Sequence, residues 1–107
     1  MKWKLPVAIA LLSATSTAYS GGVYVGLVKP VHYGVLYLDA SATQMSGRPA
    51  CATRTYVRLA DTPGDQIYKE KFAMLLGAWF SDRPVVLAGT GNCTSEGDEI
   101  ISVVSFP

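Results

Sequence analysis

The stretch that decides the fold is "CATRTYVRLADTPGDQIYKEKFAMLLGAWF", residues 51–80, because a two-residue period gives way there to a helical one. Its first nine residues alternate in polarity, which predicts a β-strand with Arg54, Tyr56 and Arg58 on one face. The opposite face is less charged, so one side of this strand is expected to be wetter than the other.

The rest of the stretch predicts a helix. Thr62 and Pro63 suit the N-cap and the first helical position. Apolar side chains then recur at helical spacing, at Tyr68, Phe72, Leu75, Leu76 and Trp79. Pro84 ends the helix, since the residue before a proline is pushed out of helical geometry.

Further strands are predicted on both sides of this pair of elements. Residues 22–39 are rich in Val, Tyr and Leu. They predict two tightly joined strands, or one long strand with a bulge near Pro30 and a turn after it. The polar residues 40–50 are expected to form a loop. Residues 85–88 and 99–106 predict the last two strands.

Together these elements predict a mainly β domain of five strands, with the helix between strands three and four. This is the order of the OB-fold, a small, partly open Greek-key barrel that binds oligonucleotides or oligosaccharides. Another small sandwich or an α+β roll with the same element order is the alternative. The chain shows no repeat or linker, so residues 21–107 are expected to form a single domain.

Residues 1–20 have the three parts of a secretory signal peptide: a positive start, a short apolar core and a small-residue exit. Cleavage after Ala18 and cleavage after Ser20 both fit this pattern. The apolar core is shorter than the roughly 20 residues that cross a bilayer, and no later stretch approaches that length. The sequence therefore predicts a secreted or periplasmic protein without a membrane span.

The charge balance argues against nucleic acid as a partner. The chain has nine Lys plus Arg and eight Asp plus Glu, and loss of Lys2 and Lys4 with the signal peptide would leave seven basic residues. A nucleic-acid binder presents instead a clustered basic face that contacts phosphates.

Cys51 and Cys93 are the two cysteines of the sequence, and an exported protein folds in an oxidising compartment, so a disulfide between them is expected. Small exported domains often need such a covalent link. A catalytic or metal-binding thiol is the alternative, but the sequence has one histidine and no Cys-x-x-Cys spacing. No cofactor and no metal site are therefore predicted.

The glycine-rich stretch "GTGNC", residues 89–93, raises the question of an anion site. Closely spaced glycines can form a backbone nest that binds an anion. No helix start follows this stretch, however, and the acidic residues just beyond it would repel phosphate. Residues 89–98 are therefore expected to be a connecting loop, tied to the third strand by the disulfide.

The sequence predicts a protein that is not an enzyme, and no catalytic residue is assigned. His32 lacks an accompanying Gly-x-Ser-x-Gly nucleophile motif. The candidate binding surface combines tyrosines and arginines of the predicted strands: Tyr37, Arg54, Tyr56 and Arg58. Tyrosines suit both sugar binding and protein interfaces. The alternative is that the tyrosines only cap the barrel while the arginines pair with Asp or Glu.

The middle of the chain resembles the B subunits of AB5 toxins of the subtilase-cytotoxin and typhoid-toxin kind. The resemblance is carried by Cys51 and Ala52 at the start of a strand, by "FAMLLGAW" at residues 72–79 and by "RPVVLAG" at residues 83–89. It covers roughly residues 50–93. It implies a ring of five subunits, with the helices lining the centre and a sugar-binding face on the flank of each barrel.

The chain departs from that family in two ways. It has only two cysteines, and its segment before the helix is shorter. No glycan-contacting motif of the family can be matched position by position, so no binding residue is carried over from it.

Two functions remain after these exclusions. The first is an exported, non-catalytic binding module that recognises a glycan or a host or envelope molecule, alone or as a homo-oligomer. The second is a periplasmic or secreted protein that docks on another protein, as an interaction partner or inhibitor. Exposure of Trp79 or Phe80 would favour oligomerisation, since these neighbours project about 100° apart around the helix and one small core cannot easily bury both.

Overall fold

The computed structural model describes residues 21–107, and the predicted signal peptide, residues 1–20, lies outside them. The described residues form one seven-stranded sheet and one helix, which confirms the prediction of a mainly β fold with a single helix. The strands are β1 (Val23–Gly26), β2 (Lys29–His32), β3 (Leu36–Asp39), β4 (Thr43–Ser46), β5 (Tyr56–Leu59), β6 (Val85–Cys93) and β7 (Glu99–Ser105). The helix, α1, spans Gln66–Phe80.

The strand order requires the sheet to curl. Across the sheet the order is β2-β3-β5-β7-β6-β1-β4, in which β5 and β7 are parallel and the other neighbours antiparallel. β2 forms one edge and β1 lies next to the other, although only residues 27 and 28 separate them along the chain. The three peptide links from Gly26 to Lys29 span at most about 11 Å. The two sides of the sheet must therefore approach each other, and the sheet forms a half-barrel.

The prediction of five strands with the helix between the third and fourth is wrong. Residues 22–39 form three strands instead of two, because the chain breaks after Gly26 and turns again at Gly34. Residues 40–50, expected to be a loop, contain β4, a polar edge strand that pairs with β1. The helix therefore follows the fifth strand, although it still connects the two segments between which it was predicted.

Two of the predicted strands have different bounds in the structure. The strand expected over residues 51–59 is limited to β5, since residues 51–55 form turns and irregular backbone. The strand expected over residues 85–88 continues through "GTGNC" as β6, so the prediction of a loop is wrong for residues 89–93, whereas residues 94–98 do form the turn between β6 and β7. β6 keeps its pairing with β7 through irregularities on either side of Gly89.

Helix α1 packs against the half-barrel. Asp65, not Thr62, occupies its N-cap position. The helix contacts β2 and β7 and buries Leu75 and Ala78. The other members of the buried core cluster come from the sheet and its connections: Tyr24, Val28, Leu38, Ala40, Val57, Val85, Leu87 and Ile101.

Cys51 and Cys93 form a disulfide with their Cα atoms 6.0 Å apart, which confirms the predicted bridge. It joins the turn before β5 to the last residue of β6. A disulfide of this kind is compatible with an oxidising, extracellular or periplasmic environment. No helix formed by residues 21–107 has the length and apolar character needed to cross a bilayer.

Candidate functional site

The four residues of the predicted binding surface lie side by side in the structure. β3 and β5 are antiparallel neighbours, and their register brings Tyr37 close to Tyr56 and Arg58. The ring centroids of Tyr37 and Tyr56 are 5.6 Å apart. The guanidinium carbon of Arg54 lies 5.0 Å from the Tyr56 centroid, and that of Arg58 lies 5.1 Å from the Tyr37 centroid. These are cation–π distances.

Tyr33 extends this row of rings, although the predicted surface did not include it. It lies in the connection between β2 and β3, and its ring centroid is 6.5 Å from that of Tyr37. The residue is 74% exposed. Only the hairpin turn at Gly34 places this ring beside the others. We call the five residues Tyr33, Tyr37, Arg54, Tyr56 and Arg58 the tyrosine–arginine cluster.

Two acidic side chains from the turn between β6 and β7 pair with the arginines. Glu96 lies 3.9 Å from Arg54 and 3.6 Å from Arg58, measured between carboxylate oxygens and Nη1 atoms. Tyr37 Oη also donates a 3.2 Å hydrogen bond to Glu96 Oε1. Asp98 Oδ1 lies 3.0 Å from Arg54 Nε. The arginines are thus paired with acidic residues, as the alternative interpretation of the sequence expected.

Asp98 and Glu96 differ in how firmly they are held. Asp98 is fully buried, and the burial raises the pKa of its carboxyl, although the charge of Arg54 acts in the opposite direction. The Arg54 Nε–H is not directed at Asp98 Oδ1, although the two atoms are close. Neither Asp98 oxygen accepts a hydrogen bond from the described part of the chain. The Glu96 side chain is 46% exposed. Asp98 is therefore an internal counter-charge, whereas Glu96 is accessible to a competing group.

The turn that carries these two acidic residues is held on the segment before β5. The Gly97 carbonyl accepts hydrogen bonds from the backbone N–H groups of Thr53 at 3.0 Å and Arg54 at 3.2 Å. Gly97 has a φ of 95°, and an added Cβ would overlap the Thr53 side chain. The disulfide joins the same two segments. Hydrogen bonds and the bridge together place the turn against the cluster.

The stretch "GTGNC" helps to cradle an anion, but that anion is the protein's own Glu99. The Glu99 side chain is fully buried. Its Oε2 accepts hydrogen bonds from the backbone N–H groups of Gly22 at 3.0 Å and Gly91 at 3.1 Å. Its Oε1 accepts one from Tyr24 Oη at 2.6 Å. A Cβ at Gly89 would overlap this carboxylate, which explains the glycine there.

The sequence pattern of this stretch points only to an external anion, and the acidic residues just after Cys93 are expected to repel phosphate. Glu99 reaches the glycines because it opens β7 and pairs with Cys93 across the sheet. The proximity of glycines and glutamates in the sequence was the available signal, but the strand pairing decides which glutamate turns inward.

Arg48 connects the Glu99 cradle with the tyrosine–arginine cluster. Its Nε donates a 3.3 Å hydrogen bond to Tyr24 Oη, and its Nη2 donates to the carbonyl of Arg54. Burial, followed by the hydrogen bond to Glu99, raises the pKa of Tyr24 to about 12. The Tyr24 phenol therefore stays protonated at neutral pH and remains a donor to Glu99.

A cavity of about 180 Å³ opens beside the cluster. Arg58 belongs to both, and His32, Val35 and Tyr68 line other parts of the cavity wall. Within residues 21–107, no group of three or more His, Cys, Asp or Glu side chains is arranged to hold a metal ion. The cavity is a small recess at one end of the cluster.

Comparison of this chain with models of known protein families, with curated protein sequences and with solved structures finds no match. The resemblance to B subunits of AB5 toxins stays a prediction. The tyrosine–arginine cluster is therefore the feature of this protein that best indicates a function.

Proposed function

We propose that this protein is an exported, non-catalytic binding module that docks on another protein through its tyrosine–arginine cluster. The observation that carries the proposal is the stacking of guanidinium groups on the rings of Tyr37 and Tyr56. Tyrosine and arginine are, with tryptophan, the residues that most often dominate binding energy at protein interfaces. Here both types are concentrated on two adjacent strands of a small domain.

The order already present in the cluster supports a binding role. Arg54 is held by the Tyr56 ring and by buried Asp98, and Arg58 is stacked on the Tyr37 ring. Immobilising a flexible side chain at an interface costs about 0.5–1.5 kcal/mol. Folding has imposed much of this order on the two arginines, so less conformational freedom is lost when a partner docks.

The charge pattern favours a partner with exposed carboxylates. The two ion pairs of Glu96 are long, at 3.9 and 3.6 Å, and partly open to solvent, which makes them weak. A partner carboxylate would replace Glu96 at Arg58 and at the Tyr37 hydroxyl. The pair of Arg54 with buried Asp98 would stay in place during this exchange, and it would keep the cluster in position.

A glycan is the second candidate, and Tyr33 is the observation that favours it. Guanidinium groups already occupy space over Tyr37 and Tyr56, whereas the Tyr33 ring is 74% exposed and open to stacking on a sugar. The neighbouring cavity would take part of such a ligand. Its volume of about 180 Å³ is smaller than the roughly 300–1,000 Å³ of small-molecule sites. We therefore place the protein partner first.

The test uses the exported, oxidised protein as bait for proteins of periplasmic and secreted fractions, and then measures the Kd of each identified partner. Tyr33→Ala and Arg58→Ala remove accessible parts of the cluster. Arg83→Ala is the matched control, because its guanidinium stacks on Phe106 at 4.9 Å, outside the cluster. We expect the two cluster variants to weaken binding by about tenfold or more, and the control variant to bind like the native protein.

The outcomes separate the two candidates. A partner protein that binds all three variants with native affinity would contradict docking through the cluster. If no protein is retained but a glycan array gives a signal that Tyr33→Ala abolishes, the ligand is a glycan.

The outer surface of α1 supports self-association as a further property of the module. Phe80 is 79% exposed at the end of the helix, while Trp79 is half-buried. Ile67, at the start of the helix, is 56% exposed. A homo-oligomer that covers Phe80 would lose subunits in the variant Phe80→Ser, as measured by the mass of the protein in solution. A native protein of monomeric mass would contradict self-association.

A further inference from the structure

Glu99 is a fully buried carboxylate that forms no direct ion pair with the described residues. Its donors are two backbone N–H groups and the Tyr24 phenol, and no Lys, Arg or His of residues 21–107 forms an ion pair with it. Arg48 lies nearby, with its Nε within about 6 Å of Glu99 Oε1 because both bind Tyr24 Oη, but it donates to Tyr24 and to the carbonyl of Arg54 and not to Glu99. An ionised group that is buried without a partner of opposite charge is costly in a folded protein.

Gly21 lies directly against this carboxylate. The residue is buried, and a Cβ added to it would overlap Glu99 Oε2 and would lie 2.5 Å from the Gly89 carbonyl carbon. The Gly21 nitrogen is bonded to the same Cα, so it lies within roughly 5 Å of that oxygen. Opposite charges at about 4–6 Å stabilise each other appreciably. A cation at the Gly21 nitrogen would therefore add a counter-charge beside Glu99 Oε2, the oxygen on the side away from Tyr24 and Arg48.

We propose that processing between Ser20 and Gly21 creates an α-ammonium group that forms an ion pair with Glu99. The proposal rests on the export signal predicted from residues 1–20. Hydrolysis adds water across the Ser20–Gly21 amide and leaves a carboxylate on Ser20 and an amine on Gly21. An α-amine is mostly protonated at neutral pH, whereas the amide nitrogen of the uncleaved chain is neutral.

The structure thereby distinguishes the two cleavage positions that fit the signal pattern. Cleavage after Ala18 would leave an amide at Gly21 and would put the new charge two residues away from the cradle. Cleavage after Ser20 puts it beside Glu99. The close approach of Gly21 to Glu99 and Gly89 also explains why a residue without a side chain occupies this position. The mature chain end thus becomes part of the buried polar network.

The first test compares the unfolding equilibria of the full-length precursor and the processed protein, both with the disulfide formed. Each is made with Glu99 and with Glu99→Gln. We expect processing to raise the folding equilibrium constant by about thirtyfold or more in the Glu99 protein, and by less than about threefold in the Glu99→Gln protein. An equal gain in both backgrounds would overturn the ion pair, since any effect of the extra residues is the same in each.

The second test needs no variant. Mass spectrometry of the exported protein gives its first residue, and an amine-reactive ester then measures how fast each amine is labelled in the native protein. We expect Gly21 at the N-terminus, labelled at least about tenfold more slowly than in urea. The exposed Lys29 and Lys69 serve as internal controls for reagent activity. An uncleaved chain, cleavage after Ala18, or native labelling of Gly21 as fast as in urea would each overturn the proposal.

Discussion

Tyr24 Oη donates a 2.6 Å hydrogen bond to Glu99 Oε1, and both side chains are fully buried. The same phenol oxygen accepts a hydrogen bond from Arg48, which in turn donates to the backbone of Arg54 in the tyrosine–arginine cluster. A continuous polar network therefore runs from the interior of the half-barrel to its candidate binding surface. In such a network, removal of one member leaves another buried group without its partner.

Replacement of Tyr24 by phenylalanine is expected to lower the free energy of unfolding by about 1–3 kcal/mol at pH 7, because buried Glu99 loses a donor. Urea denaturation measures this change. Tyr68→Phe is the matched control, since the Tyr68 hydroxyl forms no hydrogen bond with other residues of the described chain. Equal losses in the two variants would contradict the role of the hydrogen bond.

The raised pKa of Tyr24 predicts a late phenol titration. Burial and the hydrogen bond to Glu99 raise this pKa from 10.0 to about 12 in the folded protein. The resulting stabilisation is complete below the ordinary pKa of 10.0 and is lost as the pH rises through about 12. Tyrosinate absorbance should therefore show a step near pH 12 in the native protein, and Tyr24→Phe should remove it.

Asp98→Asn is expected to change how stability depends on pH. Burial raises the pKa of Asp98 above its ordinary value of 3.8 in the folded state. The folded state is therefore most stable where Asp98 is neutral, below pH 3.8, and its free energy of unfolding falls as the pH rises through the raised pKa. The Asp98→Asn variant has no carboxyl to ionise at this position. The difference between its free energy of unfolding and that of the unsubstituted protein should therefore increase with pH in the acidic range. A difference that stays constant with pH would contradict the shift.

Loss of the disulfide should affect both stability and binding. Changing Cys51 and Cys93 together to alanine is expected to lower the free energy of unfolding by about 2–4 kcal/mol, because the unfolded chain is no longer cross-linked. The bridge also fixes the turn that presents Glu96 and Asp98, so the affinity for a captured partner should change as well. Denaturation and binding measurements on the same double variant test both statements. Unchanged stability would contradict the first.

Two glycine-to-alanine substitutions should have opposite effects. Gly89→Ala would force a methyl group into the Glu99 carboxylate and is expected to destabilise the protein by about 1–3 kcal/mol. Gly77→Ala is the control, because it lies in the interior of α1 with open space around its Cβ position. It should stabilise the helix by roughly 0.5–1 kcal/mol. Thermal unfolding distinguishes the two, and a loss of stability in both would contradict the specific contact with Glu99.

Local sequence patterns were sufficient to predict the elements whose characteristic residues lie close together in the chain. The helical spacing of apolar residues located α1, since one face of it packs on the core. The two-residue period around Val57 placed Tyr56 and Arg58 on the face opposite this buried side chain, and they do lie in the cluster with Tyr37. The composition of the chain, with two cysteines, was enough to pair them.

The number of strands could not be predicted from short stretches of the sequence. β4 has little apolar character because it is an edge strand, held by backbone pairing to β1 alone. The glycines of "GTGNC" disfavour a strand on propensity, yet they continue β6 because β7 pairs with them. In both places hydrogen bonds to a distant segment outweigh the local preference.

The sequence by itself determined a mainly β chain with one helix, a disulfide and a strand face of arginine and tyrosine. Only the tertiary structure decided that the sheet has seven strands and that Glu99 turns inward to glycines and a tyrosine as far as 77 positions away. The physical reason is that the Glu99 carboxylate meets its hydrogen-bond donors only after the strands have paired and the sheet has curled. The contacts that stabilise it are made between strands that are remote in the chain, so no local pattern encodes them.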